Sequence, residues 1–208
     1  MVMVQKHLFS IFDVTKQVFY TTLLSIGIVN LKPLLPGHVL ILPKRVVPRL
    51  SDLNPSEISD LFLTVQHIGK GLEKYYNAQA LTVSLQDGKS AGQSVPHVHV
   101  HILPRHSTDF NGENDKIYPL LEENESNLKE NLNQTSQQQA VSNGEPGDIV
   151  KNSISPTGGN DLGNGNNKNI GRNWDTPSDE DRKPRSMEEM IKEAKSFEKY
   201  FRSLALHN

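Results

Sequence analysis

His97, His99 and His101 stand at alternate positions, with Val98 and Val100 between them and Ile102 following. In an extended chain successive side chains point to opposite faces, so three imidazoles share one face and three branched apolar residues the other. Imidazole can be a neutral nucleophile, a proton donor or a metal ligand near neutral pH. A solitary histidine on a strand is ordinarily a hydrogen-bonded or solvated residue. Three in register repel one another when protonated, a cost that makes sense only if the cluster is used. Metal binding is one use, because two alternate imidazoles can share an ion and a third ligand can complete an open site. The chain has no cysteine, however, and no acidic ligand is suggested nearby. Gly92, Gln93 and Ser94 precede the histidines and can aim backbone and side-chain donors at an oxyanion. That surrounding favours phosphoryl chemistry, which is mostly positioning and charge stabilisation.

The elements that must hold these residues are legible by pattern. Residues 17–20 and 25–30 are β-branched and aromatic enough to be strands, and 38–43 reads as a third. Pro36-Gly37 supplies a type II turn before His38, Pro presetting φ and Gly accepting the positive φ. Asn54-Pro55-Ser56-Glu57 combines an N-cap, a proline at the first helical position and a glutamate three residues after the cap. In the helix it starts, Ile58, Leu61, Phe62, Val65, Ile68 and Leu72 fall on one face, with Glu57, Asp60, Lys70 and Glu73 outward. Residues 80–86 and 97–103 are two further strands, and the long glycine-containing loop 87–96 between them suggests function.

Composition divides the 208 residues. Apolar runs crowd the first half, whereas residues 126–183 are full of Asn, Gln, Ser and Gly with no apolar periodicity, a composition that cannot offset the entropy lost on folding. The expected organisation is a folded domain over 1–120, a disordered low-complexity insertion over 121–184, and a helix over 185–208 that packs back. Ser186 and Glu189 form a capping box ahead of Met187, Met190, Ile191, Ala194, Phe197, Phe201 and Leu204 at helical spacing. Trp174, the single tryptophan, is either a docking anchor or a solvated aromatic. The fold class is α+β, with an antiparallel sheet, one long helix and a C-terminal helix. Residues 1–106 carry ten Lys and Arg against six Asp and Glu, a mildly basic balance that suits a small phosphorylated ligand better than a nucleic-acid duplex. No apolar run approaches the roughly 20 residues of a membrane helix, and the N-terminus lacks a leader pattern. A cytoplasmic or nuclear location without membrane or nucleic-acid partners is expected, which the absence of cysteine fits.

The run from Gly92 to Arg105, Gly-Gln-Ser-Val-Pro-His-Val-His-Val-His-Ile-Leu-Pro-Arg, resembles the signature of the histidine triad family. The likeness extends upstream through Val29-Asn30-Leu31-Lys32-Pro33, Pro36-Gly37-His38 and Gln86-Asp87-Gly88, and these surroundings resemble the fragile histidine triad branch in its fungal form. That resemblance implies a homodimeric hydrolase that splits diadenosine triphosphate into AMP and ADP. It implies that His99 is the nucleophile forming an AMP-histidine intermediate, its ring fixed by the backbone carbonyl near His97. His97 would orient it, with His38 packed behind, and His101 would contact phosphate and help the leaving group. Substrate contacts are implied at Asn30 (toward the ribose), Gln86, Gly92, Gln93, Ser94, Val95 and His101. A divalent cation, Mg2+ or Mn2+, would arrive with the substrate phosphates without protein ligands. Animal members of the branch have a ligand-contacting histidine near the N-terminus where this chain aligns Ile11, His7 being the only local candidate, so that contact stays unassigned. Tyr118 matches a phosphorylation position of animal members. Two other functions share the motif: cleavage of adenosine phosphoramidates by the sister branch, and a dinucleotide-binding signalling module. The long C-terminal extension speaks against the first, and the complete triad against the second. A DNA-deadenylating relative would add a cysteine-bearing zinc finger, which this chain lacks.

Overall fold

In the computed structural model, residues 5–142 and 182–205 are described. The capping box at Asn54 forms as its residue types require. Asn54 Oδ1 accepts from Glu57 N, and the Glu57 carboxylate accepts from Asn54 N, each at 2.9 Å. Helix α1 then runs Pro55–Tyr76 and stops at Asn77, whose φ of 52° is left-handed. Leu61, Val65, Ile68 and Leu72 are buried on the sheet, whereas Ile58 and Phe62, expected on the same face, are largely exposed. Both sit at the flank of the stripe. Glu57, expected outward, is instead buried, because its second function is an ion pair with Arg45 at 2.6 Å.

The strands β1 (Leu8–Phe9), β2 (Phe12–Asp13), β3 (Val18–Thr21), β4 (Ser25–Val29), β5 (Val39–Pro43), β6 (Ala80–Ser84) and β7 (Val100–Arg105) follow in chain order. The last five make one antiparallel sheet in the spatial order β3-β4-β5-β7-β6. The turn into β5 is the one the residues prescribe: Gly37 has φ +81° and His38 N bonds Leu35 O at 3.1 Å. β4, β5 and β7 are buried along their whole length, as befits strands covered on both faces. Strand β7 begins three residues later than the alternation suggests. Residues 97–99 leave the ladder, and Val98 N bonds Val47 O at 2.8 Å. The β1–β2 hairpin, with Ser10 at φ 56°, was not expected from pattern, since two-residue strands carry no periodicity.

Helix α2 (Ile117–Ser142) runs well into the stretch expected to lack structure, and corrects that expectation up to residue 142. Ile117, Leu121, Leu128 and Leu132 are its buried stripe. The spacing is helical, but Asn124 and Glu125 occupy the middle of the stripe, so no continuous apolar face shows. Ile117 and Leu121 pack with Leu34, Leu35, Leu103 and Phe110, while Leu128 and Leu132 join the main core. Residues 143–181, with Trp174, lie outside the described residues.

Helix α3 (Met187–Ala205) starts at the Ser186–Glu189 box and packs back through Met190, Ala194, Phe197 and Phe201. It lies beside α1, Phe197 meeting Phe19 edge-on at 5.3 Å and Phe201 seated on Gly71. No described helix is long and apolar enough to cross a membrane.

The seat of Phe201 is testable. Gly71→Ala gains about 1 kcal/mol of helix propensity but forces a methyl into the Phe201 ring, and overpacking costs about 1–3 kcal/mol. The expected net result is a lower melting temperature in a calorimetric scan. A raised one would mean that α3 sits loosely on α1.

Candidate active site

The three triad imidazoles are all buried, at 0%, 1% and 0% exposure, so the histidine face is a covered site and not an open polar surface. Each ring is held differently. His97 Nδ1 accepts from Ser10 N at 3.0 Å, which leaves the proton on Nε2 to donate to Pro43 O at 2.9 Å. With both nitrogens engaged and Phe9 packed 5.7 Å away, His97 has no free atom for a substrate. Burial pushes its pKa down to about 4, so the ring is neutral. What it presents is its carbonyl.

His99 Nδ1 lies 2.7 Å from His97 O. A carbonyl only accepts, so Nδ1 carries the proton, and in the neutral ring the lone pair is on Nε2. Phe9 stands edge-on to His99 at 5.1 Å and fixes the ring plane from the other side.

His101 is set by a relay. Leu34 N donates to His38 Nδ1 at 3.2 Å, placing the His38 proton on Nε2, from which it donates to His101 Nδ1 at 2.9 Å. His101 therefore carries its proton on Nε2, which has no hydrogen-bond partner among the described residues and points at the same place as His99 Nε2. Burial holds His38 well below the ordinary histidine range, reinforced by the nearby His101, Arg182 and Arg185. Burial lowers His101 too. Both stay neutral, as a donor relay requires. Asn30 is fully buried: its Oδ1 accepts from Lys32 N at 2.9 Å and its amide nitrogen is 3.1 Å from His38 Nε2, so it lies behind His38 and not on the rim.

The loop before the triad is built from its own side chain. Gln93 Oε1 accepts from Gly88 N at 2.9 Å and Nε2 donates to Pro48 O at 2.9 Å, so Gln93 shapes the loop as it stands. Gly92 has φ +92°, a conformation only glycine takes without strain, and the turn it makes leaves Ser94 N aimed inward. Val95 is buried beneath it. Gln86 and Gly92 line a cavity of about 220 Å³ together with Tyr118, Leu121, Glu122 and Glu125. Gln86 Oε1 is buried there without a partner among the described residues. Ile11 is largely exposed.

The residue that sequence reading missed is Glu125. From α2 its carboxylate reaches His99 Nε2 at 2.9 Å, lies 3.4 Å from His101 Nε2 and accepts from Ser94 N at 2.9 Å. Burial alone would push its pKa up, but the His101 and His99 rings outweigh that and hold the carboxyl below the ordinary range. The acidic partner thought to be absent is thus present. His99, His101 and Glu125 have donor atoms within 4.8 Å of one another. Two ring nitrogens and one carboxylate suit a zinc-like ion. Mg2+ prefers oxygen ligands, so this set does not fit it. The signal for Glu125 was its place in the Ile117, Leu121, Leu128, Leu132 stripe. Phe9 and Ser10 left no signal in the sequence.

Residues 12–108 match the HIT domain model, and with the full-length likeness that follows the chain belongs to the histidine triad family, in its fragile histidine triad branch. An asymmetrical bis(5'-nucleosyl)-tetraphosphatase of Schizosaccharomyces pombe is 46% identical over 193 residues, covering 93% of each chain. A bifunctional bis(5'-adenosyl)-triphosphatase/adenylylsulfatase FHIT of Arabidopsis thaliana is 56% identical over 117 residues, 56% of this chain and 64% of that one. The crystal structure of the C. elegans NitFhit protein superposes with a TM-score of 0.50 at 43% identity, over 62% of this chain and 31% of that one.

Neutral burial of the histidines has a pH signature. His97 binds its proton at about pH 6.5 when unfolded and only near 4 when folded, so acid favours the unfolded chain in between. Its contribution, about 3 kcal/mol, is full above 6.5 and lost as the pH falls toward 4. The lowered Glu125 contributes above 4.5 and loses its share below it. The melting temperature is expected to be flat above pH 7 or so and to fall steeply below 6.5. A flat profile down to pH 4.5 would contradict neutral burial.

Proposed function

We propose that this chain hydrolyses dinucleoside polyphosphates, converting diadenosine triphosphate and water to AMP and ADP through an AMP-His99 intermediate. The observation that carries the reading is the pair of outcomes set by hydrogen bonding: a proton fixed on His99 Nδ1, which directs its Nε2 inward, and a proton on His101 Nε2, the two nitrogens converging on the place beside Ser94 N that the Glu125 carboxylate occupies.

The chemistry follows from that pair. His99 Nε2 attacks the α-phosphorus, the bond to the bridging oxygen breaks, and ADP leaves as an anion, its departing oxygen accepting a hydrogen bond from His101 Nε2–H. Positive charge develops on the His99 ring as the N–P bond forms, and the His97 carbonyl at Nδ1–H stabilises it. Ser94 N donates to a non-bridging phosphate oxygen. Water then attacks phosphorus from the side opposite His99, losing a proton to solvent as the N–P bond breaks, and AMP and neutral His99 are released. His97 and His38 are positioning residues here, holding His99 and His101 in turn. Gln86 and Gly92 form the surface along which the substrate lies, whereas Val95, fully buried beneath Gly92, supports the loop without reaching the substrate. Asn30 reaches the ribose only through a rearrangement of its bond to Lys32, and in the arrangement described it supports His38.

The substrate's cation, Mg2+ or Mn2+, belongs to the phosphates in this reading, since the one ligand group among the described residues, His99, His101 and Glu125, offers mainly ring nitrogens. The homodimer is supported by β6, an open sheet edge bearing the exposed Val83, and by Phe62 and Leu63 exposed on α1. We place the enzyme in the cytoplasm or nucleus. The full-length likeness to a tetraphosphatase favours a second substrate, diadenosine tetraphosphate, split into AMP and ATP.

The test is a chromatographic product profile of the purified chain with magnesium and, in parallel, diadenosine triphosphate, diadenosine tetraphosphate and adenosine phosphoramidate. Equimolar AMP and ADP from the triphosphate, reduced by at least about 10⁴-fold in His99→Ala, is the expected result. Faster AMP and ATP release from the tetraphosphate would move the preferred substrate. Predominant phosphoramidate cleavage would remove the chain's assignment to dinucleotide hydrolysis.

A further inference from the structure

Glu125 is not explained by the reaction just described. Its side chain is fully buried among rings that the substrate needs, and its oxygens occupy the three groups the reaction assigns to the α-phosphate: one is on His99 Nε2 and near His101 Nε2, the other on Ser94 N. Ser94 Oγ closes the grip by donating to the Glu125 carbonyl at 2.5 Å. A carboxylate and a phosphate share the same chemistry here, two or more anionic oxygens facing converging donors.

The contact also disarms the nucleophile. Because Nδ1 of His99 already carries a proton for His97 O, a hydrogen bond between Nε2 and the Glu125 carboxylate needs a second proton, either on the ring or on the acid. In either case the Nε2 lone pair is engaged and cannot reach phosphorus.

The helix that delivers Glu125 is anchored on both sides of it. Ile117 and Leu121 pack against Leu34, Leu35, Leu103 and Phe110; Leu128 and Leu132 enter the main core; and Asn124 Nδ2 donates to Lys32 O at 3.0 Å. With Glu125 in place, the adjoining cavity lined by Gln86, Gly92 and Tyr118 is about 220 Å³, below the roughly 300–1,000 Å³ of sites for small-molecule ligands.

We propose that Glu125 is a tethered mimic of the substrate's α-phosphate, and that helix α2 holds the enzyme in a self-inhibited state which a nucleotide must displace. This rests on the reading of His99 as the nucleophile. The affinity for any phosphorylated ligand is then the intrinsic one reduced by the fraction of molecules with α2 withdrawn, whereas the rate at saturation is untouched.

Two substitutions separate the plug from the helix that carries it. Glu125→Ala removes the mimic. Leu128→Ser leaves the carboxylate but weakens its anchor, acting from a residue of the main hydrophobic core. AMP binding, followed by calorimetric titration, is expected to tighten by about tenfold in the first variant and by less in the second. With diadenosine triphosphate, KM is expected to fall by the same factors at unchanged kcat. Nitrogen-15 spectra of the histidine rings without ligand should show a proton bound or shared at His99 Nε2 in the wild type and a bare nitrogen in Glu125→Ala. Unchanged or weaker AMP binding in Glu125→Ala overturns the proposal, and a fall in kcat at constant KM does so by making Glu125 a working part of catalysis. Tighter AMP binding without turnover of any dinucleotide would keep the plug and remove the hydrolase reading instead.

Discussion

One hydrogen bond sets the chemistry of this molecule, that between the His97 carbonyl and His99 Nδ1 at 2.7 Å. It fixes the tautomer and the plane of the ring, and so decides which nitrogen faces the substrate. The bond needs residues 97–99 to leave the regular ladder of β7, because a strand in register would commit the His97 carbonyl to a neighbouring strand. The hairpin β1–β2 compensates for that departure. Ser10 N and Phe9 hold the His97 ring while Pro43 O accepts the hydrogen bond from its Nε2–H. A two-residue hairpin at the margin of the fold is therefore part of the site.

Four buried histidines would be costly if any two were charged. At His97 and His38 the structure avoids this by making each ring both donor and acceptor. His97 spans Ser10 N and Pro43 O, while His38 spans Leu34 N and His101 Nδ1. His99 and His101 instead turn Nε2 toward the place that the Glu125 carboxylate occupies. The distinction between positioning and reacting histidines thus comes from the backbone groups around them, since the side chains are identical.

How much of this could be read in advance depended on whether local pattern carried it. The capping boxes at Asn54 and Ser186 depend on residues three apart, and both formed. The Pro36-Gly37 turn and the main strands were equally local, as was the grouping of the triad. Helix α2 was hidden because its stripe is interrupted by Asn124 and Glu125, which read as solvent-facing until their partners, the Lys32 carbonyl for the first and His99 and His101 for the second, are known. Long-range partners decide such positions. Asn30 and Gln93 illustrate the same limit: both were read as substrate contacts, and in the structure their side chains bond the protein, Asn30 to Lys32 N and Gln93 to Gly88 N and Pro48 O. Contacts with the substrate would require them to exchange partners.

The claim that organises the account is that His99 Nε2 forms a bond to phosphorus. Rapid acid-free quenching during turnover of diadenosine triphosphate, followed by peptide mass spectrometry under alkaline conditions that preserve phosphoramidates, tests it directly. The account predicts one AMP attached to the peptide containing His99, absent from His99→Ala and disappearing as substrate is exhausted. AMP attached to another residue, or transfer of the nucleotide straight to water with no adduct at any time in the first turnover, would contradict it.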